Sequence, residues 1–231
     1  MHASNLSKPP ILVVAVCTLI AIMSSAACGL VGGPKSPLPN VEPSVPGEIS
    51  LQPQDWYILW SGGMPLHPSF DPAGVWSFAF PPEFIPTGYG HVNYVQTPFE
   101  ASAPLHSVTI TFEVKDDDAQ WTAFSDKTPA TFRLFFEQKN DDLSSADGRW
   151  WAQSSEYDLG SNDNQVLTET IPLTSNLWTN VYGQHDNTAF LAALKNVGWF
   201  GLTFGGQDFA GHGNALISGS ATFLLINYEV D

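Results

Sequence analysis

The chain has 231 residues, 43% of them hydrophobic and 13% aromatic, with 8 Lys and Arg against 23 Asp and Glu and a formal net charge of −15. So acidic a balance speaks against nucleic acid and anionic lipid surfaces as partners. Length and apolar content suffice for one domain with a sizeable core.

At the start of the chain, Lys8 and the amino terminus precede an apolar run from Ile11 to Met23, and Ser24, Ser25, Ala26 and Ala27 follow it. That order of charge, apolar run and small residues predicts a signal peptide over residues 1–27. The run is about 13 residues long, short of the roughly 20 a helix needs to cross a bilayer. Cys28 comes next and precedes Gly29. This junction resembles the lipobox of bacterial lipoproteins, except that Ser25 stands where they usually carry an aliphatic residue. The resemblance implies acylation of Cys28, a bacterial cell-envelope location and membrane contact through that lipid alone; the alternative is ordinary signal-peptidase cleavage at the same bond and an extracellular protein. Cys17 departs with the signal, so no intramolecular disulfide is expected. Removal of residues 1–27 takes away one Lys and no acid, leaving 7 basic against 23 acidic residues and a net charge of −16.

Residues 28–53 are rich in Pro, Gly and Ser and lack aromatics. Such a stretch cannot bury enough apolar surface to offset ordering and reads as a disordered tether. Residues 54–231 remain for the folded domain.

Strand periodicity is clearest from His106 to Val114, where Val108, Ile110, Phe112 and Val114 alternate with Thr109, Thr111 and Glu113. Similar runs at 75–80, 91–96, 130–137, 166–173, 178–182, 199–204 and 220–230 are rich in β-branched and aromatic residues and are bounded by Gly, Pro, Asn and Asp. One segment reads as a helix, capped by Asp186 or Asn187, striped by Phe190, Leu191, Leu194 and Val197, and ended by Gly198. Eight or more strands with one short surface helix predict an all-β fold, an antiparallel β-sandwich of jelly-roll type. The text from Ala193 onward, ALKNVGWFGLTFGGQDFAGHGNALISGSATFLLINYEV, resembles the secreted jelly-roll sandwiches of the galactose-binding-like class. That resemblance implies loops or a concave face suited to sugars and, in some members, a structural calcium; it assigns no residue.

Aromatic rings suit the apolar faces of sugars, with amides and carboxylates for the hydroxyls. Trp76, Trp178 and Trp199 lie within strand patterns and are expected in the core or half-buried. Trp150 and Trp151 are adjacent, so on a strand they point to opposite faces and one should be exposed or sit under a loop. With Arg149 they form a candidate sugar platform, and Trp121, placed in a loop after Asp116, Asp117 and Asp118, is a second. The glycine-rich stretch 205–214 offers Gln207, Asp208, His212 and Asn214 as a candidate ligand rim, although a glycine-rich sheet connection needs no ligand. Acidic stretches at 116–118, 140–142 and 161–164 hold oxygen ligands of the kind calcium takes, without EF-hand spacing.

Catalytic signatures are absent: no Gly-x-Ser-x-Gly elbow, no His-Glu-x-x-His helix, and no cysteine in the folded part. The expectation is an exported, lipid-anchored, non-catalytic sandwich that binds carbohydrate. Two alternatives stay open, a structural or protein-binding surface component and a polysaccharide-active enzyme with two carboxylates across a cleft.

Overall fold

The computed structural model describes residues 48–124, 129–142, 144–153, 157–161, 164–206 and 212–231. Its strands form two main antiparallel sheets. The larger, seven-stranded sheet has the order β1 (Tyr57–Leu59), β6 (Tyr94–Pro98), β13 (Val197–Gly205), β8 (Thr131–Gln138), β9 (Arg149–Ala152) and β12 (Trp178–Thr179), with β10 (Tyr157–Asp158) pairing the start of β8. The five-stranded sheet runs β11 (Val166–Pro172), β7 (Ser107–Ala123), β14 (Asn214–Val230), β3 (Trp76–Ala79) and β2 (Ser69–Phe70). A separate hairpin joins β4 (Phe84–Ile85) to β5 (Gly88–Tyr89). The fold is therefore an all-β sandwich with a single α-helix, α1 (Asn187–Lys195), among the described residues.

Alternation along the strands builds the core. Phe112 of β7 and Phe223 of β14 meet Phe132 of β8 at ring-centroid distances of 4.8 and 5.3 Å, and Phe78 of β3 meets Phe204 of β13 at 5.7 Å. The edge-on geometry of these contacts is the arrangement that ring quadrupoles favour. Ile49 and Leu51 pack against the same core, and the Trp56 indole N–H donates to the Ser50 carbonyl at 2.7 Å.

Four readings of the sequence are corrected. β7 does not stop near Val114 but continues to Ala123, paired with β14 through the acidic run 116–118, so Trp121 lies on a strand and not in a loop. The apolar period is lost there because Asp118 adopts φ +53° and β14 bulges at 216–218 and 218–220, yet the backbone ladder persists. β12 ends at Thr179 because the Asn180 side chain accepts from the N–H groups of Tyr182 and Gln184, both at 3.0 Å, and turns the chain. In α1 the Asp186 carboxylate caps the N–H groups of Thr188 and Ala189 at 2.8 and 2.9 Å, as the sequence implied, but the buried stripe is Phe190, Ala193 and Leu194. Leu191 is exposed and Val197 already belongs to β13.

Candidate functional site

The two sheets treat their outer faces differently. On β7 the outward positions Thr109, Thr111 and Glu113 are half-exposed, as expected for a wet face. On β13 and on β8 as far as Glu137 every residue is buried, on both faces. The inward residues Phe132, Leu134, Phe136, Phe200, Leu202 and Phe204 belong to the sandwich core. Their neighbours point the other way, and an aliphatic layer is not what they form.

Cross-strand register sorts these outward residues into rows. Trp199 of β13, Glu137 of β8 and Arg149 of β9 stand side by side, next to Pro98 of β6. One step along the strands lie Tyr57, Gln96, Gly201, Phe135, Trp151 and Thr179. Beyond them come Leu59, Tyr94, Thr203 and Arg133. Both arginines of the chain are thus on this one face. Gly201 leaves a gap in the middle row, and no side chain could replace it, because a Cβ there would collide with the Val95 carbonyl of β6.

Rings and ions are held in fixed relation. Tyr57 meets Trp199 edge-on at 6.0 Å and Tyr94 meets Phe135 at 5.2 Å. The Arg149 guanidinium lies 2.8 Å from the Asp141 carboxylate and 6.0 Å from the Trp151 ring centroid. Asp141 is buried against Gly148, where any side chain would strike its carboxylate. Burial pushes the Glu137 carboxyl up to about 8; Asp141 adds to the rise and Arg149 opposes it. Burial likewise pushes the Tyr94 phenol up to about 12, against the pull of Arg149 to which it is hydrogen-bonded. Near neutral pH this corner therefore offers a protonated carboxyl, a neutral phenol and an ion pair.

Two groups on this face are buried and lack a hydrogen-bond partner among the described residues: the Trp151 indole N–H and the Thr203 hydroxyl. A buried donor left unpaired costs about 1–3 kcal/mol, which a ligand hydroxyl or a water offsets.

No family model matches the chain, and no curated protein matches it. Among solved structures a xylan-binding module, CBM15, is similar over 74% of this chain and 90% of its own, at 14% identity and a TM-score of 0.35. A likeness at that TM-score decides nothing about the ligand of this chain.

The residues singled out from sequence fall in several places. Trp150 is fully buried in the core, edge-on to Phe190 at 5.2 Å with its N–H donating to the Asp147 carbonyl at 2.9 Å, and it cannot serve as a platform. Trp151 and Arg149 are together on the outer face of the larger sheet. Trp121 belongs to the smaller sheet and packs edge-on against Phe80 at 4.6 Å. Asn214 is buried and structural, its amide donating to the Thr131 carbonyl at 2.6 Å, while His212 is exposed. Gln207, Asp208 and Cys28 lie outside the described residues. Among the described residues no group of three or more His, Cys, Asp or Glu could hold a metal ion. Sequence reading missed Tyr57, Tyr94, Gln96 and Glu137 and took Trp199 as core or half-buried, not as a site residue. The available signal was the alternation of β13 and β8, where Trp199, Thr203, Arg133 and Glu137 share one phase.

Proposed function

We propose that this protein binds a carbohydrate chain, without cleaving it, on the outer face of its larger sheet. The observation that carries the reading is the chemistry of that face: shielded from solvent, yet lined by Trp199, Tyr57 and Trp151 among Gln96, Glu137 and Thr203 instead of aliphatic side chains. Rings offer flat faces for the C–H surfaces of sugars, and the amide, acid and unpaired donors suit hydroxyl groups. The net negative charge favours a neutral glycan over a polyanion. We further propose export and anchoring through Cys28, which would hold the domain at a cell surface at the end of the tether.

Cleavage is the second reading, favoured by the raised Glu137 carboxyl beside Asp141. It is the weaker one. Asp141 is held by Arg149 and packed against the backbone of Gly148, so Glu137 has no second free carboxyl beside it, where hydrolysis needs two. Intrinsic fluorescence of the chain, titrated with a panel of soluble oligosaccharides, tests the binding reading. A saturable change lost in Trp199→Ala and Trp151→Ala supports it; no response from the folded parent to any neutral glycan overturns it, and release of reducing ends, abolished in Glu137→Gln, would establish the second.

A further inference from the structure

The hairpin β4–β5 pairs with neither main sheet, and it carries two of the most exposed rings of the described residues, Phe84 at 69% and Tyr89 at 54%. The two are cross-strand partners with centroids 5.5 Å apart. Tyr89 meets Phe124 at 5.5 Å, and Phe124 stacks on His91 at 4.9 Å. A ring nitrogen of His91, Nε2, lies 3.1 Å from the carbonyl oxygen of Trp60, whose own side chain is 45% exposed. The rings of Phe84, Tyr89, Phe124 and His91 thus share one ridge, and the backbone of the exposed Trp60 adjoins it.

The ridge is stiff. Pro81, Pro82 and Pro86 bracket the hairpin strand, the Gly90 N–H donates to the Glu83 carbonyl at 2.9 Å, and the Glu83 N–H donates to that of Leu216 at 2.8 Å. Gly90 sits so close to the Pro82 carbonyl that a side chain there would collide with it. Rings held this way lose little freedom when they bind. Exposing them does nothing for the core, and contiguous exposed apolar groups mark contact sites.

Position and exposure together indicate the occupant. Trp60 directly follows β1, two residues separate His91 from β6, and the Phe204 N–H at the end of β13 donates to the Asn93 carbonyl at 2.8 Å. The strands that carry Tyr57, Gln96 and Trp199 on the sheet face therefore run directly into the ridge. The rings of the face are nearly enclosed, with Tyr57, Trp151 and Trp199 only 6–7% exposed, whereas those of the ridge are 38–69% exposed. Rings that stand free can lie flat against a broad surface that touches them from one side.

We propose that Phe84, Tyr89 and Phe124, with the exposed Trp60 adjoining them, form a second carbohydrate platform, which stacks on the exposed surface of a packed, insoluble polysaccharide. The proposal rests on the carbohydrate reading of the sheet face and extends it: the ridge adheres to the bulk material while the face takes a single strand of it. The acidic balance of the chain disfavours the competing occupant, an anionic lipid surface.

Depletion of the full chain from solution by microcrystalline cellulose, chitin and insoluble xylan tests this, run beside fluorescence titrations with soluble oligosaccharides of the same sugars. Phe84→Ala combined with Tyr89→Ala is expected to weaken retention on the solid at least about tenfold, the cost of losing one strong aromatic anchor, and to leave soluble-sugar affinity unchanged. Trp60→Ala, on a different segment, is expected to act in the same direction and guards against a misfolded hairpin. Undiminished retention of both variants overturns the proposal, as does co-sedimentation of the parent with phosphatidylserine-containing vesicles that the double variant loses. Failure of the underlying reading looks different: the parent then responds to no soluble oligosaccharide at all.

Discussion

Trp199 and Glu137 are cross-strand partners on β13 and β8, so an indole and a carboxyl pushed up to about 8 share one row of the larger sheet's outer face. A neutral carboxyl beside a ring can donate a hydrogen bond to a sugar hydroxyl, which an ionised one cannot.

Stability should depend on pH through Glu137. In the native state its carboxyl holds a proton up to about pH 8, whereas its ordinary value is 4.5. Across that interval the native state binds more protons than the unfolded one, so stability falls as pH rises from about 4.5 to about 8 and then levels off. The groups that face it are Asp141, which reinforces the shift, and Arg149, which opposes it. Urea midpoints measured between pH 5 and 9 should decline for the parent and stay flatter for Glu137→Gln.

Removing the Arg149 guanidinium takes away the cation that lies 2.8 Å from the buried Asp141 carboxylate. Breaking a buried pair from one side costs about 3–5 kcal/mol. Arg149→Ala should therefore unfold at clearly lower urea concentration than the parent. The double variant Arg149→Ala/Asp141→Asn should recover part of that loss.

The adjacent indoles should separate stability from binding. Trp150 is fully buried in the core, and Trp150→Ala should cost about 3–5 kcal/mol. Trp151→Ala removes a ring from the outer face and should lower thermal stability less while abolishing the response to glycan. Equal effects of the two on both measurements would contradict the placement of Trp151.

Gly201 should not tolerate alanine. A Cβ there would meet the Val95 carbonyl and both the backbone and the side chain of Gln96, forcing β6 and β13 apart. Gly201→Ala should destabilise by about 1–3 kcal/mol, the usual cost of overpacking, read as a lowered thermal midpoint.

The sequence by itself determined the class of fold, most of the strands and the helix cap, because these depend on local pattern: period-two alternation in Val108 to Val114, turn residues between runs, and Asp186 ahead of the apolar stripe. It also showed that Trp150 and Trp151 point to opposite faces. It did not show which of the two enters the core, since neighbours of equal apolarity carry no label for inside and outside. Only strand pairing decided that, by setting Trp151 opposite Phe135 on β8 and Thr179 on β12. The same holds for the candidate site. Tyr57, Gln96, Glu137, Trp151 and Trp199 come from five strands spread over most of the folded chain, and they share a face because the register of a sheet joins residues that sequence distance keeps apart. Burial of Glu137, and with it the raised carboxyl, follows from that assembly and has no counterpart in the sequence around it.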